Sequence, residues 1–145
     1  MANDLNYLAR RMKELAATIE SNGPKLVTNV VVEIGLVLVY KTPVDTSRAR
    51  LNWQASIGSV PSNVLFPYPD KPPAPDYGGS TAVANIIATA NKYKGGSFVA
   101  LTNNVDYIQT LNSGSSSQAP AAFVEQSIAV GLRVVEKFRM LRNVN

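Results

Sequence analysis

The stretch "KLVTNVVVEIGLVLVYK", residues 25–41, constrains the fold of this chain more than any other. Between its two lysines lie 15 residues whose polar members are Thr28, Asn29 and Glu33. A bilayer crossing needs roughly 20 apolar residues, and a carboxylate at mid-depth adds a penalty, so the run is assigned to a protein core or interface. Its β-branched residues favour a strand, yet it is far longer than a usual strand of about five or six residues. Val27, Val30, Val31, Ile34 and Leu38 share a helical face, which predicts a helix apolar nearly all round and buried on most sides. A single domain of 145 residues can hardly wrap such a helix alone, so part of it is expected to meet another subunit.

On the N-terminal side, Leu5, Leu8, Met12, Leu15 and Ile19 recur at helical steps, with Arg10, Arg11, Lys13 and Glu14 largely off that stripe. Asn3 or Asp4 is a plausible cap for this first amphipathic helix. "SNGP" at 21–24 then predicts a stop at Gly23 and a restart at Pro24. The charged, amphipathic beginning is not the pattern of a signal peptide. Beyond residue 41, "LNWQASIGSV" reads as a strand. Residues 61–77 hold six of the nine prolines and read as a surface arm. A helix capped by Ser80 or Thr81 follows, carrying Val83, Ile86, Ile87 and Ala90. "SFVALTNN" supplies a second strand and "VDYIQTLNSG" a short helix or turn. Pro120 opens a basic final helix over about 120–142, with Val124, Ile128, Leu132 and Val135 inward. The expected fold is α+β, one domain over residues 1–145: a small, mainly antiparallel sheet flanked by N- and C-terminal helices, with one long proline-rich loop.

The chain contains neither cysteine nor histidine. Thiolate chemistry, zinc–thiolate sites, the Ser-His-Asp arrangement and most transition-metal ligation are therefore unavailable. "YGGSTAV" lacks the lysine and spacing of a phosphate loop. No pair of the ten carboxylates is nominated by spacing as a glycosidase or metal site. The expectation is a protein with no catalytic residues, no metal and no cofactor. The net charge of +4 is concentrated toward the end, where Arg133, Lys137, Arg139 and Arg142 stand against Glu136. These residues are candidates to face DNA or an acidic partner, though the plain reading is a solvated helix face. A basic nucleic-acid-binding module is thus the competing class, with Trp53 or the tyrosines available to stack on bases.

"TPVDTSRARLNW", residues 42–53, concentrates charge between the apolar run and a tryptophan. Pro43 pushes Thr42 out of the helical region and ends the preceding helix. Asp45 and Thr46 suit an Asx-type turn. Arg48 and Arg50 share a strand-like parity opposite Ala49 and Leu51, with Asp45 placed to pair with one of them. The stretch reads as a rigid corner rather than a catalytic site.

"TPVDTSRARLNWQASIG" resembles the "PVDTGR-x-R…S" signature of the tail-completion (neck) proteins of long-tailed bacteriophages. "LTNNVDYIQTLNSGSSSQAP" resembles that family's "NN-x-x-Y-x-x-x-L-E-x-G-x-S-x-QAP" element, and "AAFVEQSI" the start of its last helix. The resemblance runs in order through most of residues 1–130. Ser47 stands where glycine is usual and Asn112 where glutamate is common, and "VEKFRMLRNVN" has no counterpart. The resemblance implies a structural virion protein, assembled in the host cytoplasm, that forms a hexameric or dodecameric ring at the head-to-tail junction. There it would contact the head connector or adaptor on one side and the tail tube or terminator on the other, with double-stranded DNA passing through the lumen without sequence readout. It implies no membrane partner. A tail terminator capping the tube is the nearest alternative. By carry-over, Asp45, Thr46, Arg48, Arg50 and Trp53 belong to one structural corner, and Asn103, Asn104, Tyr107, Gln118 and Pro120 (with Ala119) to a second. Their expected work is fold-holding hydrogen bonds and interface contacts.

Overall fold

The computed structural model describes residues 2–44, 47–65, 76–114, 117 and 121–138. Helix α1 (Ala2–Lys41) runs without interruption through both of the apolar patterns at the start of the chain. The break expected at "SNGP" does not occur, because Gly23 and Pro24 lie inside the helix, as do Asn3 and Asp4. A proline in a helix interior costs about 3 kcal/mol, since it removes one hydrogen bond and crowds the preceding turn. The turns after it outweigh that cost. Val31, Leu38 and Val39 join one core with Trp53, Ile86 and Phe123, and each fully buried aliphatic contributes about 1.5–3 kcal/mol. Tertiary packing of one face, more than propensity, carries the helix through the proline.

Over residues 25–40 the exposed positions Lys25, Asn29, Glu33, Leu36 and Tyr40 fall on one narrow stripe, and the other residues are buried or half-buried. The run at residues 25–41 is therefore buried or half-buried on most sides, as its apolar pattern predicts, and the part of α1 left largely uncovered is its N-terminal half. By length and composition α1 could also cross a membrane, although part of the same stretch packs against the protein's own core.

After Pro43 the chain makes a short helix, α2 (Arg48–Leu51), where a strand was expected. Strand β1 (Gln54–Ile57) begins only after Trp53 and pairs antiparallel with β2 (Val99–Thr102), in the register Gln54↔Thr102 to Ile57↔Val99. Helix α3 (Gly79–Ala90) lies in the connection between the two strands and packs on α1 through Ala82, Ile86 and Ala90. A helix α4 (Ile108–Asn112) and helix α5 (Phe123–Lys137) complete an α+β domain around a two-stranded antiparallel sheet. Most of the proline-rich arm falls outside the described residues.

Helix α5 buries a face different from the one its large aliphatics suggest. Phe123, Ser127 and Gly131, at four-residue steps, are buried, whereas Ile128, Leu132 and Val135 are 47, 60 and 44 % exposed. Close approach of the two longest helices explains the inversion. A side chain at Gly131 would run into Ile34 and come within 3.3 Å of Val30 Cγ1, so the small residues sit where the axes draw nearest. The large aliphatics are rotated toward the edge of that contact.

Candidate functional site

Two features stand out: a corner in which the motif residues converge, and an apolar groove beside it. The corner begins at the end of α1. The Thr42 hydroxyl donates to the Leu38 carbonyl at 2.6 Å and accepts from Trp53 Nε1 at 2.7 Å, so a single buried oxygen joins the helix end to the indole. Ser47 then takes a left-handed backbone, φ 69°, the conformation that makes glycine common at such a position. Its hydroxyl is buried and finds no hydrogen bond among the described residues.

Because residues 48–51 are helical, the two arginines diverge instead of sharing a face. Arg48 reaches toward the second motif, with Nη1 3.6 Å from Asp106 Oδ1 and its guanidinium 5.5 Å from the centre of the Tyr107 ring. Arg50 turns back onto the chain. It donates to the carbonyls of Asp76 at 2.9 Å, Thr42 at 3.2 Å and Tyr40 at 3.4 Å, and lies over the Tyr40 ring. Burial pulls the Arg50 guanidinium below its ordinary value, opposed by the nearby Asp76 charge. Asp45 and Thr46 lie outside the described residues.

The second motif locks into the first through amides. Asn103 Nδ2 donates to the Ala49 carbonyl at 2.7 Å while its Oδ1 accepts from the Val105 amide at 3.2 Å. Asn104 Nδ2 donates to the Pro61 and Asn63 carbonyls, fastening the segment that leads into the proline-rich arm. Asn52, fully buried, holds the same segment by accepting from the Leu65 amide and donating to the Arg48 carbonyl. Gln118 and Pro120 lie outside the described residues.

Several supporting residues escaped the sequence reading. Asp76 Oδ2, not Ser80 or Thr81, caps α3: it accepts from the Ser80 amide at 2.6 Å and from the Tyr40 hydroxyl at 3.3 Å. The backbone hydrogen bond from Ser80 is the main reason its carboxyl lies below its usual value. The N-terminus of the helix that follows the paired glycines of "YGGSTAV" is thus occupied by the chain's own carboxylate. Asn112, the departure from the family pattern, caps α5. Its carbonyl accepts from Ala122, its Oδ1 from Val124, and its Nδ2 donates to both Glu125 carboxylate oxygens. That side-chain contact is the leading cause of the lowered Glu125 value. Neither role has a local signature, because each joins residues whose spacing depends on an intervening turn.

Of the basic terminal residues, Arg133 and Lys137 are exposed on α5, while Arg139 and Arg142 lie outside the described residues. Among the described residues, no cluster of three or more acidic side chains is placed to hold a metal ion.

The groove runs beside the Thr42–Trp53 junction. It encloses about 490 Å³ between α1, α5 and the sheet, with Val30, Ile34, Leu38, Trp53, Leu101 and Ile128 among its walls. A second uncovered apolar surface lies at the other end of α1, where Leu5, Leu8, Met12 and Ile19 are 69, 54, 62 and 50 % exposed. Corner and groove differ in kind: the corner's polar groups are largely spent on the chain's own backbone, whereas the groove leaves hydrophobic walls open.

No family model, curated protein or solved structure matches the chain.

Proposed function

We propose that this chain is a non-enzymatic structural protein that assembles into a ring at the neck of a long-tailed phage, completing the tail and joining it to the head connector. One observation carries the reading. The two stretches that resemble neck-protein signatures, far apart in sequence, meet in one corner, where Asn103 holds the Ala49 carbonyl and Arg48 stacks on Tyr107. Motif residues used in this way act as structural fasteners, which fits a scaffold more closely than a reaction centre. The uncovered groove and stripe supply what a multi-subunit ring needs and a lone domain does not.

The test is made on particles assembled without this chain. Electron micrographs should show detached or aberrant tails, and the purified protein added back should restore joining. Normal joined particles in its absence would overturn the reading. So would a purified protein that stays monomeric and attaches to neither heads nor tails.

A further inference from the structure

We infer that the apolar groove is filled by the N-terminal half of α1 from a second copy of this chain, each copy inserting its stripe into one neighbour and receiving the stripe of another. The inference rests on the ring reading and specifies the contact that would build it.

The occupant must come from outside the chain that owns the groove. The stripe over residues 5–19 and the groove wall over residues 26–38 are successive parts of the one helix α1, so a copy cannot fold its own stripe back into its own groove. Their dimensions match. At about 1.5 Å per residue, Leu5 to Ile19 spans about 21 Å and Leu26 to Leu38 about 18 Å. Apolar side chains at Leu5, Leu8, Met12 and Ile19 have the spacing by which an amphipathic helix enters a hydrophobic groove.

Charge complements shape. Over residues 5–19 the helix carries Arg10, Arg11 and Lys13 against Glu14. On the receiving side, exposed Glu33 is one residue from the groove wall at Ile34, and exposed Glu136 one residue from the wall at Val135. Glu125, also exposed, stands next to Val124 on the same rim. Exposed Lys25, beside the wall at Leu26, and Lys41, bonded to Gln126 on α5, stand among these carboxylates, so the trough's edges carry both signs and the three glutamates are the groups a basic stripe can pair with.

The extent of contact also bears on its strength. A helix segment about 21 Å long and about 10–12 Å wide, covered along one side, buries less than about 1,000 Å² over both partners, below the range of stable specific interfaces. A lone contact is therefore weak, and assembly depends on its repetition. Each copy would use this contact twice, once as donor and once as acceptor. The two surfaces are different patches, so the contact is heterologous, and repetition closes a ring where the rotation permits.

The experiment uses the full chain and two substitutions at exposed positions, Leu8→Asp on the stripe and Ile128→Asp on the groove wall. Light scattering on eluting species should give an oligomer for the parent protein and at least a tenfold shift toward monomer for either variant. Thermal melting followed by Trp53 fluorescence reports whether the body remains folded, and Val135→Asp replaces Ile128→Asp if it does not. The decisive sample is an equimolar mixture of a stripe variant with a groove variant. One intact stripe then still meets one intact groove, so the mixture should form one-to-one dimers. A parent oligomer that neither substitution dissolves overturns this inference and leaves the ring reading standing. Variants that dissociate yet stay monomeric when mixed also overturn it, since an intact stripe would then be failing to hold an intact groove. A monomeric parent protein overturns both readings.

Discussion

Ser47 carries a conformational cost that the rest of the corner offsets. A non-glycine residue in the left-handed region costs on the order of 1–3 kcal/mol where the surroundings enforce it, and the buried hydroxyl lacks a hydrogen bond among the described residues. Ser47→Gly relieves both terms and loses some ground to the greater freedom of glycine in the unfolded chain. It should therefore stabilise the protein by about 1 kcal/mol, seen as a higher urea midpoint with an unchanged slope. Trp53, the single tryptophan, reports the transition from inside the core. Asp76 makes the complementary case through pH. Its folded value lies below the ordinary carboxylate value, so its cap stabilises the protein above the unfolded value of about 3.9 and ceases to do so as the pH falls through the lower folded one. Glu125 behaves with the same sign. Acid titration of the melting temperature should thus fall below about pH 4, and Asp76→Asn, which retains an oxygen to accept from Ser80, should flatten the fall. A slope unchanged by that substitution would remove Asp76 from the account.

Among the elements, legibility tracked how local the deciding force was. The turn after Lys41, the strand at Gln54–Ile57 and the helix near Ile108 were readable because proline, alternation and short spacing act over a few residues. The continuity of α1 was not. "SNGP" is a sound local stop signal, and what overrides it is the burial of Val31, Leu38 and Val39 against residues far away in sequence. The face of α5 was misread for a related reason. Hydrophobicity pointed to Ile128 and Leu132, but the nearest approach to α1 admits only small side chains at Ser127 and Gly131. Gly131→Ala tests which force decides. Alanine is the better helix former by about 1 kcal/mol, yet the methyl meets Ile34, so the variant should be net destabilised by about 1–3 kcal/mol in denaturant unfolding. A stabilised variant would mean that the helices have room to part.

At the scale of the whole molecule, what the sequence disclosed was a surplus: more apolar surface than one small domain can enclose. The motif residues were legible as a structural corner, although the partners of Arg48 and Arg50 came from Asp106, Tyr107 and backbone carbonyls that no spacing rule would supply. The groove was not legible as a place, because it exists only where α1, α5 and the two-stranded sheet fail to close on one another.

Carrying stripe and groove wall on one unbroken helix also makes the helix a ruler. The distance and the angle between a copy and its neighbour are counted out in turns of α1, with Pro24 between the two graduations. Inserting seven residues between Ile19 and Pro24 lengthens that measure by about 10 Å while returning the stripe to nearly the same side. Assemblies of that variant should persist with an enlarged diameter in electron micrographs. Inserting two residues swings the stripe by about 200° and should abolish assembly while leaving the body folded. The copy number of the ring would then be written in the length of a helix, and a change of a whole heptad would rewrite it.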